Sequence, residues 1–446
     1  MIVPRFDLAV GARELSQVVR RIVCGRATGS ATSIRNFEEE FADWLDGGAS
    51  RAFFLSSGRM ALYLVLLGMR RLSRPPGERP LVLVPAWTHA SVPLAVRAAH
   101  YVPWFVDADP ETLNPDLKAV PAEVWPHVAA VVVTHLYGTP AALSDWVGVA
   151  RAHGAVVIED CAQALGARYD EQRCGAYGDA AYFSFALTKN FTTLRGGLLS
   201  VRDPQLREAV RPFVSTRPSK ADLRLMKEAI LGLGFYYATR PSIFATTIYP
   251  ALRVGWSVEG RDILHSAFEE MVSFTPPGGF LGEGGDPLVM PPPGICADLG
   301  RAQLFRLDHA NARRTQIGYR LRELLGGTPL LGLPSWEKRA TPIFMSFVLR
   351  APRRMAFIRE MLRRGVDCSP GYLRACDQLE LGPKPISQLP CPNAGRLEHS
   401  QVHLPVYPRM TDREVEFIAR TAHAAFEHVH ADLVARSHVA YAGPGR

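Results

Sequence analysis

The chain has 446 residues, 47% hydrophobic and 21% charged, a globular composition that excludes a disordered polymer. Its formal charge of +8 is spread over dispersed arginines, with no basic run interleaved with aromatics, so nucleic acid is not an expected partner. The surplus suits a phosphorylated or nucleotide-linked substrate better, and the length suits two domains.

Residues 1–11 show no basic flank and apolar core ahead of a cleavage site, so no signal peptide is expected. Residues 37–44 (FEEEFADW) read as an amphipathic helix. Residues 52–55 are a short apolar strand running into Ser56-Ser57-Gly58, and the helix expected over 59–69 is apolar enough to be buried. Residues 70–80 form a Pro/Gly/Arg loop. Residues 81–84, 129–134 and 155–158 are near-continuous apolar runs, as strands buried on both faces should be. A helix lies between the last two, with Ser144 placed to cap its start and Gly154 its end. Strand, helix, strand at this pitch implies a parallel sheet, with functional groups at the carboxyl ends of its strands.

Residues 202–290 are harder to place. Residues 229–237 are the most apolar run, with Ile243, Phe244, Ile248, Tyr249 and Leu252 beyond. Nine residues cannot span a bilayer, which needs about 20, so no transmembrane segment is expected. Extra helices packing on the large domain or on a second subunit are the plain expectation; peripheral contact with a membrane or a lipid-linked substrate is the sharper one. Beyond Arg301 the reading is a helix over 302–325, a strand over 343–349, and a helix over 353–364 that Gly365 ends. A last helix begins at Thr411, where Thr411 and Glu414 make a capping box ahead of Val415, Phe417 and Ile418. The seven cysteines (Cys24, Cys161, Cys174, Cys296, Cys368, Cys376 and Cys391) form no C-x-x-C pair. An odd count with no framework suggests reduced thiols in a cytoplasm, and no metal ligand set is expected.

The most informative stretch is residues 155–199. Glu159 and Asp160 close a buried apolar run, Gln163 follows three residues on, and Lys189 comes just after a second apolar strand over 180–185. Arg195-Gly196-Gly197 follow. An acid and a lysine so placed are what pyridoxal phosphate needs: the lysine holds its aldehyde as a Schiff base, and the acid keeps the pyridine nitrogen protonated.

The stretch resembles the DegT/DnrJ/EryC1/StrS family of sugar aminotransferases. The resemblance rests on Asp160-Cys161-Ala162-Gln163-Ala164-Leu165-Gly166 and on Phe183-Ser184-Phe185-Ala186-Leu187-Thr188-Lys189-Asn190. Collinear matches continue in Ser56-Ser57-Gly58-Arg59-Met60-Ala61-Leu62, Val84-Pro85-Ala86-Trp87-Thr88, His135-Leu136-Tyr137-Gly138 and Leu404-Pro405-Val406-Tyr407-Pro408. It implies an α/β protein of the PLP-dependent transferase fold type I, aspartate aminotransferase-like. A large doubly wound, mostly parallel sheet domain (residues 1–290, with an atypical helical insert at about 204–290) would precede a small C-terminal α/β domain (291–446).

By the same resemblance Lys189 is the catalytic lysine and Asp160 the partner of the pyridine nitrogen. Gln163 donates to the cofactor's phenolic oxygen, Ser57, Gly58 and Ser184 hold the phosphate, Arg59 stands beside it, and Trp87 stacks on the ring. Glu159 is expected to point away, and His89 and His135 to be structural. The resemblance further implies a homodimer with the site at its interface, an amino-acid donor (glutamate), and a keto-sugar acceptor, nucleotide-linked, or a related cyclic ketone. Such enzymes serve glycan or secondary-metabolite synthesis. Three features depart from the family. Its Asn-aromatic-Arg motif is missing, with Val289-Met290-Pro291 in its place. Leu165 replaces a histidine, and Leu194-Arg195 replaces Gly-Glu. These leave open another carbanion reaction, such as elimination, and a non-catalytic regulatory role.

Overall fold

The computed structural model describes residues 1–26, 31–72, 80–215, 219–220, 222–258, 289–328, 331–381, 388–429 and 431. Seven strands lie side by side in the order Arg51–Leu55, Gly197–Val201, Ala180–Ser184, Val156–Asp160, Val128–Thr134, Leu81–Pro85 and Val102–Val106. Gly197–Val201 runs antiparallel to both neighbours, and the remaining adjacent pairs are parallel.

Both faces of this sheet are covered. Along Val128–Thr134 the side chains alternate, so Val131 and Val133 enter one core while Ala130 and Val132 enter the other. The first core is closed by helices Ala31–Asp46, Leu143–Ala152 and the start of the long helix Gly294–Leu325; the second by Gly58–Arg71 and Ser91–Ala98. A sheet covered this way needs apolar residues on both sides of each strand, which is why its strands read as continuous apolar runs.

A third core belongs to the C-terminal part. It joins Ile317, Leu321 and Leu325 of the long helix to the paired strands Phe347–Arg350 and Gln401–Leu404. Helices Arg354–Arg363 and Asp412–Val429 complete it. Gly365, at φ +105, follows the first of these helices. The capping box of the second is formed: Thr411 N–H donates to Glu414 Oε2 at 2.8 Å, and Glu414 N–H to Thr411 Oγ1 at 3.3 Å.

Several boundaries differ from those expected. The long helix starts at Gly294 rather than at 302. Gly300 weakens the helical signal there, but a Cβ at that position would lie 2.8 Å from the Phe37 ring, so close packing selects the glycine. The strand expected over 343–349 is shortened to Phe347–Arg350 because Phe344 takes φ +44. Ser144 is not a helix cap. The helix begins at Leu143 behind Ala142, and the Ser144 hydroxyl bonds to Tyr169 and Asp145 instead.

The described part of the 204–290 stretch divides its packing. Helix Leu223–Ala238 lies against Ala12–Val23, with Gly232 close to Leu15 and Leu187. Phe244, Tyr249, Leu252 and Trp256 instead enter the C-terminal core, where Tyr249 donates to the carbonyl of Leu362 at 2.8 Å. Residues 259–288 lie outside the described residues. Among the described residues no helix is long and apolar enough to cross a membrane.

Candidate active site

The candidate residues lie at and just beyond the carboxyl ends of the parallel strands. Asp160 ends its strand and is buried. Its Oδ1 accepts the Ala162 N–H at 3.0 Å and its Oδ2 the Thr134 hydroxyl at 3.3 Å. Burial raises its pKa above the ordinary value, against the pull of the Tyr182 hydroxyl, the Ala162 N–H and Lys189. Lys189 sits in the turn after strand Ala180–Ser184, its N–H closing on the Ala186 carbonyl at 3.0 Å. Burial pushes its amine down to about 8, and Asp160 pulls the other way. An acid that resists ionising and an amine that resists protonation thus face one electrostatic environment.

Behind Asp160, Glu159 points away from the cleft. Its oxygens accept N–H groups of Gly175, Tyr177 and Gly178 at 2.7–2.8 Å and bond His135 Nε2 at 3.2 Å. His135 Nδ1 accepts the Ala141 N–H, so Nε2 carries the proton that goes to Glu159. Burial alone would raise Glu159, yet the His135 hydrogen bond and the backbone donors hold it below the usual carboxylate range. Both residues are structural supports.

Ser57, Gly58 and Ser184 come together. Ser57 caps helix Gly58–Arg71 through its Oγ, which accepts the Met60 N–H at 3.2 Å, and it bridges Gly196. A Cβ on Gly58 would lie 2.9 Å from the Phe183 carbonyl and 3.3 Å from Ser184 Cβ. A Cβ on Gly197 would lie 2.2 Å from the Gly58 nitrogen. The result is a cup at a helix start, where first-turn N–H groups and the dipole favour an anion.

The surrounding charge points the same way. Burial drives His89 down to about 4, and Lys189, Arg59 and Arg374 add to the effect. Burial also lowers Arg59, with Arg224 adding to it. Lys189, Arg59 and Arg374 thus all lie near enough to His89 to act on its charge. His89 itself is held by Ser91, whose N–H and hydroxyl meet Nδ1 at 3.2 and 2.8 Å.

Trp87 is fully buried, and its Nε1–H donates to the Tyr137 hydroxyl at 2.9 Å. Gln163 Oε1 accepts the Tyr137 N–H at 2.9 Å, which leaves its Nε2 hydrogens to face elsewhere.

Other residues that complete the site were not singled out from the sequence. Asn190 and Asn311 both donate to the Leu165 carbonyl, at 3.1 and 2.9 Å, and Gln303 is paired with the backbone of Thr192. These bonds fix the loop after Lys189 to the long helix. Arg374 arrives with strand Arg374–Ala375, which pairs with Trp87–Thr88. Asn190 closes the motif that begins at Phe183, but no local motif marks Gln303, Asn311 or Arg374, because each acts through a contact distant in sequence.

The departures have structural roles. Leu194 adopts φ +70, the backbone region that favours the glycine it replaces. Arg195 reaches the helix Leu223–Ala238, bonding Glu228 at 2.8 Å and Asp222 at 3.0 Å. Val289 pairs with Val214, and Ser219 N–H reaches the Pro291 carbonyl, so the segment replacing the missing motif is tied to its own chain.

The sequence pattern described as the DegT/DnrJ/EryC1/StrS aminotransferase family matches residues 10–237 and 293–422. Residues 238–292 fall between the two matched stretches. The chain is 26% identical over 424 residues to the dTDP-4-dehydro-2,3,6-trideoxy-D-glucose 4-aminotransferase of Saccharopolyspora spinosa, covering 94% of this chain and 95% of that protein. It is 36% identical over 191 residues to the protein MosB of Rhizobium meliloti, covering 43% of this chain but only 36% of MosB. Among solved structures, the sugar aminotransferase CalS13 from Micromonospora echinospora superposes with a TM-score of 0.70 over 95% of this chain and all of that one, at 20% identity. That likeness establishes fold type I.

Proposed function

This chain belongs to the DegT/DnrJ/EryC1/StrS aminotransferase family, and on that footing we propose a specific reaction. With pyridoxal phosphate held at Lys189, it moves an amino group from an amino acid, glutamate, to the keto group of a nucleotide-linked sugar. The route is glycan or secondary-metabolite synthesis. The observation that carries the reading is that buried Lys189 and Asp160 act on each other's charge at the carboxyl ends of neighbouring parallel strands.

The donor set fits the cofactor. A buried acid whose ionisation is opposed by desolvation gains from a cation brought against it, such as a protonated pyridine nitrogen. A cup of first-turn N–H groups with Arg59 beside it suits a phosphate dianion. Ser57, Gly58, Ser184 and Arg59 would hold that phosphate, Trp87 would face the ring, and Gln163 would donate from Nε2, since its Oε1 is already taken. When bound, the cofactor supplies an electron-accepting ring that stabilises negative charge beside the transferred nitrogen.

The remaining chemistry falls to the chain. Lys189 Nζ, with a pKa near 8, is poised to accept and return a proton at neutral pH. Asp160 would keep a proton on the cofactor's ring nitrogen. The fully buried Trp87 and Tyr137 keep water from that side. The surplus of guanidinium groups favours anionic substrates, as a nucleoside diphosphate would be. We include in this reading a homodimer and the division of the chain at 290/291. The helix Leu223–Ala238 leaves Leu223, Ile230 and Tyr237 exposed at seven-residue spacing, which is one row of that helix.

The test is chemical. The purified protein with pyridoxal phosphate should be yellow, and borohydride should fix the cofactor on the peptide carrying Lys189. In a separate sample not treated with borohydride, glutamate should bleach the colour. Lys189→Ala should lose the covalent link. A wild-type protein that stays colourless with added cofactor ends this reading.

A further inference from the structure

Tyr137 follows the strand Val128–Thr134 in a left-handed backbone conformation, φ 58 and ψ 17. A side chain there costs on the order of 1–2 kcal/mol, so the surroundings must hold it. Its backbone N–H meets Gln163 Oε1 at 2.9 Å. Its hydroxyl accepts from Trp87 Nε1 at 2.9 Å and donates to Gln401 Oε1 at 2.6 Å. The direction of this relay is forced. An indole N–H can only donate, and a phenol has one proton to pass on. Burial raises the Tyr137 pKa far above its ordinary value, so that proton stays in place.

Gln401 belongs to the C-terminal core. It opens the strand Gln401–Leu404, is buried, and receives His403 Nε2 at 3.2 Å on the same oxygen. His403 Nδ1 bonds the Ser346 hydroxyl at 2.9 Å, and its ring stands edge-on to Tyr137 with centroids 5.0 Å apart. Gly371, at φ +84, passes so close that a Cβ would fall 2.3 Å from His403 Nε2 and 2.9 Å from Gln401 Nε2. Three residues later the chain enters Arg374–Ala375 and pairs with Trp87–Thr88. The C-terminal part therefore reaches Trp87 twice, once through backbone pairing and once through the Tyr137 hydroxyl.

We propose that Gln401 is a positioning residue that acts through Tyr137, so that Trp87 and Gln163 are held in place only while the C-terminal part is seated on the sheet. That Trp87 and Gln163 flank pyridoxal phosphate rests on the proposed function; the relay itself does not.

Two measurements separate these layers. In the cofactor-free protein, hydrogen–deuterium exchange is followed in peptides covering Trp87–Thr88 and Arg374–Ala375. Gln401→Leu removes the acceptor and should speed exchange there about tenfold, the effect of one lost buried hydrogen bond. Tyr137→Phe breaks both bonds of the relay and should speed exchange at least as much. The double variant should match Tyr137→Phe and add nothing to it, because the Gln401 bond is already lost there. Gln401→Glu retains an acceptor oxygen and should restore slow exchange. Pyridoxal phosphate titration should show the same ranking, with the dissociation constant about tenfold higher in Gln401→Leu and recovered in Gln401→Glu. Unchanged exchange in both single variants, or additive effects in the double, overturns the relay. Normal relay behaviour in a wild-type chain that binds no pyridoxal phosphate overturns the proposed function and leaves the relay standing. If Gln401→Leu does not fold, Tyr137→Phe, which keeps its ring, and Gln401→Glu decide the matter between them.

Discussion

The carboxylate of Asp160 holds a proton on Lys189 that burial alone would remove more readily. Burial takes the amine down to about 8, and Asp160 is the group that pulls it back up. The neutral amine is the nucleophile. Capture of pyridoxal phosphate by cofactor-free protein should therefore accelerate as pH rises through about 8 and level off above it. Asp160→Asn removes the opposing charge, so the midpoint should move to lower pH. Stopped-flow absorbance across a pH series measures both, and a midpoint unmoved in Asp160→Asn would show that the two groups do not interact.

Gly197 should tolerate no side chain. A Cβ there would lie 2.2 Å from the Gly58 nitrogen, 2.4 Å from the Ser57 carbonyl carbon and 2.6 Å from the Phe183 oxygen, all of them backbone. Gly197→Ala is expected to cost on the order of 3 kcal/mol of stability and to abolish tight cofactor binding by displacing the cup. Urea unfolding and equilibrium dialysis are the measurements.

Glu38 is an internal acid with its pKa pushed up to about 7 by burial, opposed by the Phe54 N–H that it accepts at 2.8 Å and by Arg51. An acid whose pKa is higher in the folded state favours folding most when protonated. Its contribution is complete below about 4.5 and is lost as pH rises through about 7. Glu38→Gln keeps an acceptor for Phe54 without the charge. It should raise stability at pH 8 by up to about 3 kcal/mol and flatten the pH dependence between those values. Chemical denaturation at several pH values decides it.

Arg195 anchors the helix Leu223–Ala238 through Asp222 and Glu228, and Asp222 also caps that helix by accepting the Leu225 N–H at 2.8 Å. Asp222 is about half exposed, so solvent screens the pair. Arg195→Met is expected to cost about 1 kcal/mol and to speed amide exchange in that helix. Asp222→Ala should cost a similar amount by losing cap and pair together, and the double variant should lose less than the sum. Additive losses would mean that the ion pair contributes nothing.

Much of this site was legible in the sequence because its motifs are local. The acid, the lysine, the serines and the glycine that follow strand ends could be placed from the residues alone, since the pattern of apolar runs fixes where those ends fall. Gln303, Asn311, Arg374 and Gln401 were not legible in the same way. Tyr137 and Gln401 are 264 positions apart, and Trp87 meets Arg374–Ala375 only because a short strand returns to make a two-stranded pair with Trp87–Thr88. No propensity or spacing encodes such a meeting. Ser144 misled for the opposite reason: a good capping residue found a better partner in Tyr169. Leu194 shows a family glycine replaced while its backbone angle is kept, which no composition rule anticipates.

The long helix Gly294–Leu325 spans 32 residues, about 48 Å at 1.5 Å per residue. Its first half places Ile295, Leu299, Leu304 and Leu307 in the core against the sheet, and its second half places Ile317, Leu321 and Leu325 in the C-terminal core. Neither core can lose its packing without stripping one end of the same continuous hydrogen-bonded rod. The two cores should consequently unfold in a single calorimetric transition, with the van't Hoff and measured enthalpies in agreement.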